Sequence, residues 1–274
     1  MAKEFIKIKN KIEQLKDLKS TIKAIEKISS SQLHFLKKKW ENLRLYRESL
    51  LEILATIEKN DFFSPFFEER SKRRMFLVFS SNKKHSGGLF FNLFYFLSEI
   101  KEENDIVYIL GKFGKKIAEQ MKIKYDLVIK EPIDLSLLVK NYLVPIFLKR
   151  KTGKIYIIYP EFKNINLFVP KMEKYLPLET NILENQRSYK GYVYYEPKKE
   201  TILRFLIEDY LEVTIAEKFF ETKFCEFWAR TITMEQAEER IENIVKNLQL
   251  LSFKMRKKEI TKNLTDLYSS KHYF

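Results

Sequence analysis

The fold is decided by residues 3–60, which read KEFIKIKNKIEQLKDLKSTIKAIEKISSSQLHFLKKKWENLRLYRESLLEILATIEKN and contain neither glycine nor proline. Apolar side chains recur there largely in steps of three and four, which places them in one narrow stripe along a helix. Such a stripe is typical of the seam of a coiled coil. The stripe consists of Ile8, Ile12, Leu15, Ile22, Ile25, Leu33, Leu36, Trp40, Leu43, Leu50, Leu54 and Ile57.

The other end of the chain repeats this pattern within residues 198–274. All six glycines and all seven prolines lie between positions 65 and 197, so neither end contains a helix breaker. Two long helices at opposite ends of one chain pair most simply in antiparallel orientation. A break in the second helix near residues 231–233 stays open, because Thr233 and Gln236 have the spacing of a capping box. The second stripe consists of Met234, Ala237, Ile241, Ile244, Leu248, Leu251 and Met255.

The middle of the chain alternates short apolar runs with helical stretches. The runs at 75–80, 105–110, 125–129 and 153–159 are apt for buried strands, and the segments between them for helices. Strand and helix in alternation, with short connections, predict a mostly parallel sheet with right-handed crossovers. Residues 160–191 are rich in proline and polar residues, and we expect loops with one short strand there. Residues 192–197 read as an edge strand, because proline is confined to edges.

These patterns divide the chain into three segments. Residues 1–62 form an N-terminal coiled-coil helix, residues 70–197 an inserted α/β domain, and residues 198–274 a C-terminal coiled-coil helix. The hydrophobic content of 45% and charged content of 32% are those of a folded protein.

The composition of the chain limits the cellular compartments and the kinds of partner that are compatible with it. No run of about 18 apolar residues exists, and the N-terminus lacks the apolar core of a signal peptide, so we expect no membrane span and a cytosolic chain. The single cysteine, Cys225, excludes an internal disulfide. The net charge of +14 indicates an acidic partner, whether nucleic acid, anionic lipid or an acidic protein surface.

No motif in the sequence indicates catalysis. The pairs Gly87–Gly88 and Gly111/Gly114 follow strands, but neither fits the spacing of a dinucleotide or phosphate-binding loop, so we interpret them as tight turns. The acidic residues of the helices alternate with lysines, as on solvated faces. Cys225 lies in an apolar helical stretch, which favours packing over nucleophilic chemistry. We therefore expect no catalytic residue and no cofactor.

Metal binding and nucleic-acid binding are also disfavoured. The three histidines (His34, His85 and His272) are far apart, and no paired cysteines accompany them. The aromatic residues occur in strands and seams, where a core needs them, and not on a basic face. A basic coiled coil that binds nucleic acid remains the less favoured alternative.

Five segments, taken in order, resemble the gamma subunit of F-type ATP synthase, the central rotor stalk. They are residues 8–33, 80–94, 194–197, 226–234 and 254–267. The last keeps the family's pattern at Arg256, Ile260, Thr261, Leu264 and Thr265, with Lys257 in place of a glutamine. In the first, Ile25 takes the place of a methionine. In the second, Asn82, Lys84 and Ser86 replace an aspartate, a glycine and a cysteine.

The resemblance implies an α/β fold in which the terminal helices form a long antiparallel two-helix coiled coil and the insert is a Rossmann-like sheet without a cofactor. It implies a non-catalytic rotor shaft that transmits rotation between a catalytic hexamer of alpha and beta subunits and a membrane c-ring. The process served would be proton-coupled ATP synthesis or hydrolysis. The implied partners are alpha, beta, epsilon and the c-ring, at the cytoplasmic face of the cell membrane.

The resemblance also implies contact residues. Arg230, Arg256, Lys257 and Thr261 match positions that touch the beta and alpha subunits. Ile25 lies on the opposing helix, and Ser86 matches the place where the α/β domain approaches a lever of beta. The simpler interpretation is that Arg256 and Lys257 are ordinary surface cations and that Ile25 is only a seam residue.

A second function stays open beside the first. The α/β domain departs most from the family, at Asn82, Lys84 and His85, and in the family this domain meets the coupling partners. In this alternative, the chain is the rotor of an F-type-like ATPase that is not coupled to proton transport.

Overall fold

The computed structural model of the chain describes residues 2–55, 65–69, 71–131, 133–165, 167–179, 194, 196 and 198–271. The two ends are helices of 54 and 73 residues, as their breaker-free sequences predict. In chain order the elements are α1 (Ala2–Ala55), a 3-10 turn (Pro65–Phe67), β1 (Arg74–Phe79), α2 (Leu89–Ile100), β2 (Ile106–Leu110), α3 (Lys112–Gln120), β3 (Leu127–Ile129), α4 (Leu135–Leu138), a π-helical turn (Val139–Leu143), α5 (Val144–Leu148), β4 (Lys154–Asn164), β5 (Leu167–Leu176) and α6 (Lys199–Lys271).

The chain forms two compact units. Unit 1 contains Met1–Ser31 and Arg230–Phe274, and unit 2 contains Gln32–Ala229. Both long helices contribute to each unit. The break left open near residues 231–233 does not occur, because α6 runs through them without interruption. Arg230, Thr231 and Met234 are buried there, so packing holds the threonines in helix despite their modest helix propensity.

The sheet of unit 2 is mostly parallel, as predicted, with strand order β3-β2-β1-β4-β5. β1 pairs in parallel with both β2 and β4, and β2 pairs in parallel with β3. The apolar run of β1 is fully buried over Met75–Phe79, which fits its place at the centre of the sheet.

The expectation of loops with one short strand over residues 160–191 is wrong as far as residue 176, and its part over residues 180–191 lies outside the described residues. β4 continues to Asn164, and the ten-residue β5 returns antiparallel to it. Pro160 and Pro170 face each other in this hairpin. β1 pairs with β4 only as far as Ile158, so the proline without an N–H lies beyond that ladder. Of the edge strand predicted at 192–197, only Tyr194 and Glu196 lie within the described residues, and no strand is assigned to either.

The sheet lies between two layers of helices. On one face Met75, Leu77 and Phe79 pack with α1, the α4–α5 segment and the first half of α6. On the other face Phe76 and Val78 pack with α2 and α3. Full burial of such a side chain contributes about 1.5–3 kcal/mol. Because the side chains of β1 alternate between the two faces, this burial stabilises the packing of both helix layers on the sheet. Within the described residues, no helix is both long and apolar enough to cross a membrane.

Candidate functional site

The helices of unit 1 pair along the predicted α1 stripe. Ile22 and Ile25 are half-buried and Ser29 is buried, while the residues between them are mostly exposed. Lys19 forms ion pairs with Glu238 (3.4 Å) and Glu242. The hydrogen bond to Glu242 raises the pKa of Lys19, and Lys19 in turn lowers the pKa of Glu242. These exposed pairs contribute little stability each, so the seam is held mainly by apolar contact.

The register of this pairing places the end of α6 beyond the N-terminal end of α1. Lys19 lies opposite Glu242, and Lys23 lies 3.9 Å from Glu238, so the helices are antiparallel. Extrapolated back to Ala2, this register reaches about position 259 of α6. Every residue from 261 to 269 is exposed, in agreement with that estimate.

The C-terminal part of α6 carries a second apolar stripe that points away from the seam. Phe253, Ile260, Leu264 and Leu267 are 67%, 53%, 51% and 63% exposed. At 100° per residue they fall within a sector of about 60°, whereas the half-buried Met255 lies well outside it. Exposed apolar side chains on one helix face mark a surface that a partner covers.

Three of the predicted contact residues lie beside this second stripe. Arg256 and Lys257 are exposed and flank it at roughly 50° on either side. Thr261 is exposed too, although its hydroxyl donates a hydrogen bond to the Lys257 carbonyl oxygen at 2.9 Å. The arrangement presents an apolar strip bordered by cations, which fits a protein surface that is apolar at its centre and acidic at its rim.

The other three predicted contact residues are placed differently. Ile25 is half-buried in the seam of unit 1. Arg230 is only 4% exposed and Ser86, in unit 2, only 2%. The Ser86 hydroxyl is buried without a hydrogen-bond partner among the described residues. A direct contact between another protein and either of these two side chains therefore requires local rearrangement.

Part of the α6 sequence was misread. Ile244 and Leu251, which were assigned to the seam, are both 46% exposed. Val245 and Ser252 are half-buried in their place. The spacing of the second stripe, at 253, 260, 264 and 267, is the sequence signal for this second apolar face.

Unit 2 contains the position at which a doubly wound sheet binds ligands. That position is the crevice at the carboxyl ends of two neighbouring strands whose connections leave in opposite directions, here β1 and β4. Side chains of α6 occupy it. The Ser81 hydroxyl, just after β1, donates to Glu226 at 2.5 Å, and the Cys225 thiol donates to the Pro160 carbonyl at 3.3 Å. This chain fills the crevice with its own helix.

The glycines near this edge serve close packing as well as turns. Gly87 and Gly111 have φ values of 57° and 110°, as the prediction of turns requires. A Cβ atom on Gly111 would lie 2.7 Å from the carbonyl oxygen of Ser81. Gly114 was misread, because it lies inside α3, where a Cβ atom would approach the Ser80 side chain to 2.6 Å.

The expectation that the helix acids are solvated is wrong in the middle of α6. Glu217, Glu221 and Glu226 are at most 4% exposed, and Lys218 is also buried. Lys223 lies 3.0 Å from Glu226, in one of the ion pairs of this region. The alternation of acid and base that suggested a solvated face therefore reflects internal pairing.

A buried ionic network joins α6 to α1 and to the β4–β5 hairpin. Lys218 lies 3.2 Å from Glu173 and 3.3 Å from Glu217, and Arg47 pairs with Glu217. Burial opposes ionisation of Glu173, but Lys218 and the Tyr159 hydroxyl outweigh it and lower the pKa of Glu173.

Glu221 behaves differently from its neighbours. It accepts a hydrogen bond from the Phe162 backbone N–H at 3.2 Å and lies 3.9 Å from Lys218. Burial raises the pKa of Glu221 to about 7, and these two contacts only partly oppose the rise. Cys225 is fully buried and burial raises the pKa of its thiol, which suits the predicted packing role. Among the described residues, no cluster of three or more His, Cys, Asp and Glu could hold a metal ion.

Comparison with known proteins gives matches along nearly the whole chain. A family model described as ATP synthase matches residues 4–272. An ATP synthase gamma chain from Polynucleobacter asymbioticus is 28% identical over 276 residues, covering 95% of this chain and 96% of the relative. The one from Acetivibrio thermocellus is 25% identical over 282 residues, with 95% of each covered.

Solved structures share the fold. A chain of the Euglena gracilis mitochondrial ATP synthase, from a structure of OSCP, F1 and the c-ring, superposes with a TM-score of 0.70 at 13% identity. The superposition covers 98% of this chain and 94% of that one. A chain from the central stalk and c-ring of the Tetrahymena thermophila enzyme gives a TM-score of 0.59 at 15% identity, over 79% of this chain and 99% of that one. Since the family model spans almost every residue and the curated relatives match end to end, this chain belongs to the gamma-chain family of ATP synthases.

Proposed function

We propose that the chain is the central rotor shaft of an F-type ATP synthase and transmits rotation between an alpha/beta catalytic hexamer and a membrane c-ring. The c-ring would couple the rotation to proton flow, for ATP synthesis or hydrolysis. The chain itself performs no chemistry. Its other partner is an epsilon subunit, and its place is the cytoplasmic face of the cell membrane.

The observation that carries this proposal is the exposed end of α6. Beyond the part of α6 that α1 reaches, Ile260, Leu264 and Leu267 are each more than half exposed, as is Phe253 on the same face. Such an end is poorly stabilised in water, because a helix in a protein gains most of its stability from tertiary packing. A sleeve formed by other subunits would cover the stripe. The breaker-free sequence of both helices supports torque transmission, since one proline would kink a helix at a cost of about 3 kcal/mol.

The flanking charges suit a part that has to turn. A shaft passes several equivalent positions, so a single strong contact would hold it at one of them. Exposed ion pairs contribute about 0–1 kcal/mol each, and Arg256 and Lys257 offer contacts of this weak kind. Under this proposal Arg256, Lys257 and Thr261 touch the hexamer directly. Ile25 supports them from the facing helix, and Arg230 and Ser86 act after local rearrangement.

The proposal is tested by crosslinking in cells followed by purification of the chain. Recovery of alpha, beta and c subunits together is the expected result. Recovery of alpha and beta without a c-ring would replace the proposal with a rotor that is not coupled to proton transport. Nucleic acid as the sole partner would refute both.

A point variant tests the contact residues. Arg256→Ala should slow ATP turnover of the reconstituted complex, while the isolated chain melts at an unchanged temperature because Arg256 is exposed. Lys246→Ala, an exposed cation elsewhere on α6, is the control and should leave turnover unchanged. Equal turnover for wild type and Arg256→Ala would make Arg256 an ordinary surface cation.

A further inference from the structure

The amino-terminal edge of the sheet carries a concentration of basic residues to which the contacts proposed above assign no role. β1, β2 and β4 all begin at this edge, as their parallel registers require. The loop before β1 contributes Lys72 and Arg73, the first residue of β1 is Arg74, and the loop before β4 contributes residues 149–151, which are Lys-Arg-Lys.

The two basic loops are locked together. The buried Thr152 hydroxyl donates to the Arg73 carbonyl oxygen at 2.8 Å, and the Gly153 N–H donates to the same oxygen at 2.8 Å. Gly153 lies so close to the first loop that a Cβ atom on it would come within 1.5 Å of the Ser71 carbonyl oxygen. The cations therefore stand on a fixed framework.

Three carboxylates at this edge are engaged by Arg74 and Lys154, while Glu103 is exposed in the same loop as Glu102 and Asp105. Arg74 binds Asp105 through two nitrogens, at 3.0 and 2.7 Å, and lies 2.9 Å from Glu102. Lys154 pairs with Glu69 at 3.0 Å. Among the residues that the structure describes, five exposed cations at this edge form no ion pair; they are Lys72, Arg73, Lys149, Arg150 and Lys151.

Compensation of helix dipoles explains only part of this charge. α2 and α5 end at this edge, and their carbonyl ends favour cations. Arg74 serves that role, because its guanidinium donates to the Ile100 carbonyl oxygen at 3.2 Å. Arg73 is held through Nε by the Asn104 carbonyl oxygen at 2.7 Å, which orients its guanidinium plane. An oriented guanidinium beside lysines is an arrangement that recognises phosphate.

A cleft at the same edge offers room for such a group. Its volume is about 730 Å³, and Lys72, Arg73, Arg74, Glu102, Asn104 and Asp105 line it. The exposed Leu148 directly precedes the second basic loop. We infer that this edge, termed the basic edge and consisting of residues 72–74 and 149–151, binds phosphate-bearing anions. The phosphate belongs either to the headgroups of an anionic lipid surface or to a soluble polyphosphate-like anion.

Two triple variants of the full-length chain test the inference. The edge variant carries Lys72→Gln, Lys149→Gln and Lys151→Gln. The control variant carries Lys112→Gln, Lys116→Gln and Lys130→Gln; these lysines are exposed and belong to α3 and the end of β3, away from the basic edge. Both variants lose the same charge, so a difference between them reports position. Circular dichroism and melting curves verify that both are folded.

Binding is measured with two probes at physiological salt. One is sedimentation with vesicles of phosphatidylcholine, either alone or mixed with phosphatidylglycerol, and the other is calorimetric titration with tripolyphosphate. Each lysine near an anionic surface contributes about a factor of five, so the edge variant should bind about a hundredfold more weakly than wild type. The control variant should remain within a few-fold.

The outcomes separate the two sources of phosphate. Binding to phosphatidylglycerol vesicles that only the edge variant loses supports the inference with lipid as the source. Binding to tripolyphosphate alone, with the same order of variants, supports it with a soluble anion. Absence of binding to both probes, or equal weakening in both variants, overturns it, because net charge would then account for the result.

Discussion

The second apolar stripe of α6 gives the sharpest prediction. We consider the double change Ile260→Ser and Leu264→Ser, at positions that are 53% and 51% exposed. If a partner covers the stripe, both side chains lose the remaining half of their exposure on assembly.

The magnitude follows from that exposure. Full burial of an Ile or Leu side chain is favourable by about 1.5–3 kcal/mol, so half of it corresponds to about 1 kcal/mol per residue. The double variant should then bind the alpha/beta hexamer with about 2 kcal/mol less free energy, roughly a thirtyfold increase in Kd. The free energy of unfolding of the isolated chain should also fall, by about 2 kcal/mol, because the half of each side chain that is already buried there is lost as well.

The assay is titration of purified chain into a fixed amount of alpha/beta hexamer, with ATP turnover or fluorescence as the readout. The matched control is Leu248→Ser with Met255→Ser, because these residues are half-buried on the seam side of the same helix. The control should destabilise the isolated chain more than the stripe variant does. An unchanged Kd for the stripe variant, or a loss of stability equal to that of the control, would refute the covered-stripe argument.

Three further predictions concern the stability of unit 2. The pKa of Glu221 is raised to about 7, so the unfolded state binds fewer protons than the folded state between about pH 4.5 and 7, and stability from this group falls as pH rises through that window. The free energy of unfolding of Glu221→Gln should therefore rise relative to that of wild type across this window, to a difference on the order of 3 kcal/mol at about pH 7. Urea titrations at several pH values measure it. Plots of unfolding free energy against pH that run parallel for the two proteins would contradict it. Gly153→Ala should lower the free energy of unfolding by at least about 2 kcal/mol, because the new Cβ atom would clash with the backbone of Ser71. The control is Gly88→Ala, where the nearest atom would be 3.9 Å from the new Cβ atom. It should change the free energy of unfolding by less than about 1 kcal/mol, and thermal melts measure both. Arg47→Ala removes one of the two cations that lie against the buried Glu217 and leaves Lys218 as the other, so it should cost about 2–3 kcal/mol, against about 0.5 kcal/mol for the exposed Arg44→Ala; similar melting temperatures for the two would show that the Arg47–Glu217 pair is not needed.

Periodicity alone was sufficient for the long helices and the parallel strands. The α1 stripe from Ile8 to Leu54 is buried or half-buried as its spacing predicts. Apolar residues with this spacing all lie on one face of a helix, and that face is the one that packs. The β4–β5 hairpin could not be found in the same way. Pro160 and Pro170 are local signals for loops, and the sequence does not show that Pro160 lies beyond the β1–β4 ladder or that Pro170 lies on the edge strand β5, where a missing N–H is tolerated.

The buried acids of α6 show a second limit of sequence reasoning. A lysine near a glutamate on a helix has the same spacing whether it faces water or a sheet, and solvated faces are far commoner. What distinguishes Glu217 and Glu226 is the presence of distant partners, Arg47 and Ser81, which helix periodicity does not reveal. The surface stripe was missed for a related reason, since one helix with two apolar faces was treated as having one.

The crevice that α6 fills in unit 2 bears on the proposed function of the chain as a rotor shaft. In open α/β sheets, ligands bind in the crevice at the carboxyl ends of the strands. Here Glu226 accepts a hydrogen bond from the Ser81 hydroxyl, and Glu221 accepts one from the Phe162 N–H. These bonds link the carboxyl edge of the sheet directly to α6. Lys218 adds a buried ion pair from the same helix to Glu173 of β5. Removing one partner of a buried pair is costly, so these contacts resist separation of the sheet from the helix more strongly than surface pairs would. Under the proposed function, such attachment would let the sheet and α6 turn as one body, and here it comes from side chains of the helix itself and requires no ligand.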